Sequence, residues 1–180
     1  MSRAVSRRSP ARDAATVGLM VAVIEVCKLF MQSLPNIEMT SFLIILFTLH
    51  FGRLTLYTVP AFILIEGMLY GVNLWWIMYL YAWPLLALTT HLLRRNDSAF
   101  FWAVFSGCFG LLFGLLCAIP YFFIGLAGGG VSQGLTQMFA WWVAGIPYDL
   151  LHGAGNFALM LALYRPISSL LRRMPQITAR

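Results

Sequence analysis

The chain has 180 residues, of which 61% are hydrophobic and 10% charged, with a mean hydropathy of +0.81. Soluble globular domains carry about a quarter charged residues, so this composition excludes an ordinary soluble domain and points to an all-α integral membrane protein. The net charge of +6 does not imply a nucleic-acid partner, because the basic residues stand at the ends of apolar runs rather than along one face.

Met1 to Asp13 hold Arg3, Arg7, Arg8 and Arg12 among Ser, Ala and Pro, with nothing from which to build a core; residues 1–13 are expected to be a disordered basic cytoplasmic tail. The first helix is expected from about Ala14 to Ser33. Ala14, Gly18, Glu25, Lys28 and Gln32 recur at intervals of three, four and seven, with Ala15 and Ala22 flanking, so one face is built for contact with protein. Glu25 and Lys28 at i, i+3 are expected to pair, since an unpaired charge at membrane depth is costly.

Leu34-Pro35-Asn36-Ile37-Glu38 is a polar break, and Glu38 to about Phe51 forms a short second helix ended by Gly52-Arg53. A third covers about Leu54 to Tyr70 and carries Glu66. After the turn Gly71-Val72-Asn73, the fourth runs from about Leu74 to Leu93. Its Trp75, Tyr79 and Trp83 share a face, suited either to an interfacial belt or to stacking on a flat ring. His91 to Asp97 is a charged loop.

The fifth helix is expected from about Ser98 to Ile124, with Gly107, Gly110 and Gly114 as a close-packing stripe and a kink at Pro120. Gly125 to Gly134 is expected to be a flexible loop, and it lacks the Lys-Ser/Thr of a phosphate-binding loop. The sixth helix, about Leu135 to Leu163, holds Asp149, His152 and Asn156 at i, i+3 and i+7, an acid, a base and an amide on one narrow stripe. Arg165-Pro166 closes it, and residues 166–180 form a second basic tail, leaving 14–165 as the membrane domain.

With an internal N-terminus and six crossings, eleven of the twelve basic residues fall on the inner side (Arg3, Arg7, Arg8, Arg12, Arg53, Arg94, Arg95, Arg165, Arg172, Arg173, Arg180); Lys28 lies within a helix. The positive-inside rule therefore predicts six transmembrane helices with both termini cytoplasmic. Asn36, Glu38, Glu66, the aromatic start of helix four, Tyr121, Gln133 and Gln137 then gather outward, and Asp149, about 21 Å down helix six from Leu135, lies beneath that mouth. Cys27, Cys108 and Cys117 match no zinc or disulfide pattern, so neither metal nor cofactor is expected.

Six short helices, the Leu34-Pro35-Asn36-Ile37-Glu38 entry followed by Phe51-Gly52, and the run Gly145-Ile146-Pro147-Tyr148-Asp149-Leu150-Leu151-His152-Gly153-Ala154-Gly155-Asn156 together resemble the substrate-binding S components of energy-coupling factor transporters. The resemblance covers about residues 14 to 173. It implies a non-enzymatic subunit of the bacterial plasma membrane, surrounded by lipid, that captures a vitamin or related micronutrient from outside beneath a lid between helices one and two. It further implies docking on a transmembrane coupling subunit driven by two ATPases. The matching helix-one positions are Ala14, Gly18 and Ala22, where Gly18 interrupts the family's usual alanine spacing. The expected pocket is lined by Asn36, Glu38, Trp75, Tyr79, Trp83, Tyr121, Gln137 and Trp141, with Asp149, His152 and Asn156 either as its lower part or as a packing seam.

Two other readings use the same residues. An intramembrane enzyme would employ Asp149 and His152 as a base and its orienter, but no nucleophile motif accompanies them. A stand-alone ion-coupled carrier would use Glu25, Lys28, Glu66, Asp149 and His152 as a relay, without the internal repeat on which many such carriers are built.

Overall fold

The computed structural model describes residues 9–34 and 36–173. Arg3, Arg7, Arg8, Pro35 and Arg180 lie outside the described residues. Among those described there is no strand; the elements are α1 (Pro10–Met31), α2 (Thr40–Phe51), a short 3-10 turn (Gly52–Leu54), α3 (Thr55–Tyr70), α4 (Leu74–Leu93) and α5 (Ala99–Arg172). Four continuous helical stretches, Pro10–Met31, Thr40–Tyr70, Leu74–Leu93 and Ala99–Arg172, are long and apolar enough to cross a membrane.

The helix starts follow ordinary capping chemistry. Ser9 caps α1, its hydroxyl accepting from the Arg12 N–H, with Pro10 in the first turn, where its missing N–H costs nothing. The expected tail thus becomes helical four residues before Ala14. Asn73 caps α4 and Ser98 caps α5 in the same way. At the other end the helix continues through Pro166 to Arg172, so much of the second expected tail is helix.

The largest departure from expectation lies at 125–134. This stretch is helical rather than a flexible loop, and the backbone leaves helical dihedrals at Gly129 (φ −165°, ψ 24°) and Gly130 (φ 79°, ψ −172°), not at Pro120. Gly130 occupies a region essentially restricted to glycine, and the two residues reverse the chain. α5 is therefore a hairpin of two arms, 99–128 and 131–172. The arms lie so close that a Cβ on Gly125 would come within 2.8 Å of the Gly134 Cα, and one on Gly110 within 2.8 Å of the Gly153 Cα.

α2 is the centre. Thr40 to Thr48 are all buried, as expected of a helix apolar all round, and α2 packs on α4 and on α5 while α3 packs on α1 and α4. Thr58 donates to the Met20 sulfur, and eight residues further along both helices Lys28 meets Glu66, so α1 and α3 run parallel. One end of the bundle gathers Arg12, Arg53, Arg94, Arg95, Arg165, Arg172 and Arg173. There His50 bonds Ser168 at 3.1 Å and Arg172 reaches Asp97 at 3.4 Å. The loop at 32–39 lies at the opposite end of α2.

The hairpin is much longer than its neighbours. At 1.5 Å per residue the second arm spans about 63 Å and α2 about 18 Å, and most residues of 119–148 are exposed.

Candidate functional site

The loop between α1 and α2 does not stand level with the hairpin turn. Asn36 adopts a left-handed conformation (φ 53°), which Asn tolerates better than other non-glycine residues. This folds Ile37 and Glu38 down against the second arm of α5. Gly155 lies against Ile37, at a distance where a Cβ would sit in ordinary contact, 3.4 Å from that side chain. The loop therefore roofs the bundle beside His152 and Gly155, some 33 Å along the helix from Gly130.

Beneath it lies a cavity of about 190 Å³ lined by Lys28, Met31, Gln32, Leu34, Asn36, Ile37, Glu38, Tyr79, Phe113 and His152. A second, of about 330 Å³, shares Lys28, Gln32 and Tyr79 with it and adds Leu29, Glu66, Tyr70 and Trp75. Each wall has a local cause. Lys28 and Gln32 are one turn apart near the end of α1, and Tyr79 is in the second turn of α4. Glu38 sits just before α2, where the positive end of the helix dipole favours a carboxylate; its Oε2 accepts from the Thr40 hydroxyl at 3.1 Å.

The polar groups are incompletely satisfied. Lys28 is ion-paired with Glu66, whose side chain is 0% exposed, and approaches the Tyr79 hydroxyl at 3.4 Å. Its ammonium also lies 5.2–5.9 Å from the ring centroids of Phe62, Tyr70, Trp75 and Tyr79. The expected Glu25–Lys28 pair is thus replaced by a pair between helices: Glu66 lies fully inside the bundle and needs a cation more than the partly buried Glu25 does. Glu25 stands beside Glu66. His152, 2% exposed, packs edge-on to Phe113 with centroids 5.0 Å apart. Its Nε2 has no hydrogen-bond partner, and Glu38 Oε1 is 3.9 Å away. Burial pushes the Glu38 carboxyl above its ordinary range, and Glu66 adds to this, against the opposing pull of Lys28 and of Thr40.

The fold thus brings Asn36, Glu38, Tyr79 and His152 into one cavity and Trp75 into the adjoining one. Trp83 continues the same ladder, with Trp75–Tyr79 and Tyr79–Trp83 centroids 5.2 and 5.3 Å apart, but it is 0% exposed and packs on Phe109 and Phe113. Tyr121 and Trp141 stack on one another at 4.7 Å across the hairpin, and Gln137 lies close to Gly125. These three line neither cavity; Trp141 is about 16 Å along the helix from His152. The expected common outward gathering is therefore split in two, because the chain reverses at Gly129–Gly130, far beyond the 32–39 loop.

The acid, base and amide of the second arm also part company. Asp149 accepts from the Gly114 N–H at 2.9 Å, and Asn156 donates to the Ser106 carbonyl at 3.3 Å, so both are seam residues between the two arms. His152 lines the cavity. Ala14, Gly18 and Ala22 are exposed, and a Cβ on Gly18 would meet nothing within 4 Å; their face of α1 is not used inside the chain.

The chain matches no protein-family model, no curated protein and no solved structure.

Three lining residues carried sequence signals that pointed elsewhere. Lys28 and Gln32 lie on the contact stripe of α1, and Glu66, placed by orientation with the outward polar groups, is named for the relay of a carrier rather than for the pocket. Tyr70 and Phe113 carried no signal, being aromatics in apolar helices. Among the described residues no group of three His, Cys, Asp or Glu side chains could hold a metal ion.

Proposed function

We propose that this chain is the substrate-binding S component of an energy-coupling factor importer, capturing a vitamin or related micronutrient in the cavity beneath the 32–39 loop. In this reading it crosses the bacterial plasma membrane six times, α5 crossing twice, with both termini cytoplasmic beside the arginine-bearing end. The cavity then faces outward under a lid. The observation that carries the proposal is that cavity: roofed by the α1–α2 loop, it sets the aromatic faces of Tyr79 and Phe113 against Glu38 and a buried, unpartnered His152, polar groups able to fix a ligand's orientation.

The exposed Ala14–Gly18–Ala22 face supports docking on a transmembrane coupling subunit, because small residues let another helix approach closely. Energy would come from two ATPase partners, and the chain would perform no chemistry on its ligand. The Asp149 carboxylate is engaged by Gly114 rather than by His152, which disfavours the pair as an enzymatic dyad. A gradient-driven carrier is the second reading; the Lys28–Glu66 pair at the cavity is what favours it.

Co-expression with a coupling subunit and its two ATPases tests the proposal. The wild type should co-purify with them and support ATP-dependent uptake in proteoliposomes. Gly18→Leu should lose the partners while keeping its own stability within about 0.5 kcal/mol, as surface changes usually do. Uptake by the chain alone on an ion gradient would overturn the reading in favour of the carrier.

A further inference from the structure

The charge balance around the cavities is acidic. Glu38 and Glu66 line them, Glu25 stands beside Glu66, and among the described lining residues Lys28 is the one cation. That cation is already engaged: Glu66 holds it, and four aromatic rings surround it. An anionic ligand would have to strip Lys28 from a fully buried carboxylate or sit beside Glu38. The protein's own ammonium shows which sign of charge this aromatic corner accommodates, since ring faces attract cations.

The second observation is independent of charge counting. His152 lines the cavity, and its Nε2 is buried and has no hydrogen-bond partner. Native structures leave such groups unpaired rarely, and among the described residues His152 is the one lining this cavity that carries such an atom. Glu38 Oε1, 3.9 Å from it, is too far for a direct bond but close enough for one amino group lying to the side of the pair to donate to both. With its proton on Nδ1, the imidazole presents Nε2 as an acceptor, so both sides of the gap call for a donor. Asn36 and Gln32 amides flank it, and Tyr79 and Phe113 supply apolar faces.

We propose that the cavity takes a flat nitrogen heterocycle or amidine-like ligand that is cationic or rich in N–H donors, its N–H edge donating to both Glu38 Oε1 and His152 Nε2, and that it discriminates against carboxylate-bearing ligands. This rests on the cavity being the ligand site and narrows what it carries. Glu38 is the specificity-determining residue and His152 the second acceptor.

Benzamidine and benzoate form the test pair, since they share one shape and differ in the sign of the charged edge. The full chain in lipid nanodiscs would be titrated with each at neutral pH, reading tryptophan fluorescence, to which Trp75 beside the cavity contributes. Benzamidine should bind at least about tenfold tighter than benzoate, and Glu38→Gln should erase that preference, as expected for loss of a charge-assisted hydrogen bond. Benzoate binding as tightly as benzamidine, or neither binding at millimolar concentration, overturns the proposal on the wild type alone, whether or not the variant folds. Unchanged benzamidine affinity in a folded Glu38→Gln protein overturns the assignment to Glu38. Failure to assemble with ATPases would sink the importer reading while leaving this titration intact, and the converse holds equally.

Discussion

Gly114→Ala probes the seam that holds the two arms of α5 together. A Cβ at 114 would run into the Asp149 carboxylate, whose atoms are its three nearest neighbours. Such overpacking typically costs about 1–3 kcal/mol. Losing the Gly114 N–H to Asp149 Oδ1 bond of 2.9 Å adds about 1.5–3 kcal/mol, the worth of a bond to a charged acceptor. Asp149→Ala alone should cost that second amount. In the double variant the new methyl has no carboxylate to meet and the bond is already lost, so its cost should approach that of Asp149→Ala alone, leaving a coupling energy of about 2.5–6 kcal/mol, the whole cost of Gly114→Ala. Gly110→Ala is the control. Its Cβ would strike the Gly153 and His152 backbone at 2.8–2.9 Å, which no side-chain deletion relieves, so combined with Asp149→Ala it should add without rescue. Equilibrium unfolding of purified protein in mixed micelles, followed by circular dichroism, supplies the four free energies of each cycle. Additivity of Gly114→Ala and Asp149→Ala to within about 0.5 kcal/mol would refute the seam as described.

Three further outcomes are expected from the same preparation. Gly130→Ala should cost about 1–3 kcal/mol through backbone strain, because its φ of 79° is the difficulty and a Cβ there meets nothing within 4 Å; Gly128→Ala, with an ordinary 3.6 Å contact to Gln133, should be neutral or slightly stabilising. Lys28→Met leaves the fully buried Glu66 carboxylate without its cation and should cost about 3–5 kcal/mol, most of it recovered by adding Glu66→Gln; an undiminished unfolding midpoint in Lys28→Met would contradict the pairing. Benzamidine binding should weaken as pH falls, with a midpoint above the ordinary carboxylate range, because burial makes Glu38 hold its proton to higher pH and a neutral carboxyl gives no ion pair. The linkage sign for the free protein is opposite: the folded state binds more protons at Glu38 than the unfolded one, so stability declines as pH rises between the two values. Lys28, Glu66, Tyr79 and His152 also face this carboxyl, so the pH effect should disappear in Glu38→Gln; a profile that persists there would move it to another group.

Much of the helical layout is legible in the sequence because it depends on local chemistry. Runs of apolar residues interrupted by Gly52-Arg53, Gly71-Val72-Asn73 and Arg94 to Asp97 leave little choice about where helices stop, and Asn73 and Ser98 cap the helices that follow them. The face shared by Trp75, Tyr79 and Trp83 is equally local, since residues four apart on a helix must stack along it. The glycine stripe Gly107, Gly110 and Gly114 declares a close approach, and the approach is there. That its partner is the stripe of Asp149 and Gly153 on the other arm is not declared by any spacing.

What the tertiary structure decided is which groups meet. Intrahelical geometry offers Glu25 to Lys28, yet Lys28 reaches Glu66, because the parallel packing of α1 on α3 sets the two side by side inside the bundle and burial raises the need for a partner. Asp149, His152 and Asn156 share one stripe, yet they serve different ends, because Gly114 and Ser106 lie opposite two of them and the 32–39 loop opposite the third. The reversal at Gly129–Gly130 rather than across a longer loop makes the hairpin arms long and leaves Tyr121, Gln137 and Trp141 far from Glu38. Composition and periodicity determine an all-helical chain with helices fit for a membrane; the cavity exists because a short buried α2 draws its preceding loop down onto His152, and no local rule of sequence specifies how deep that loop will sit.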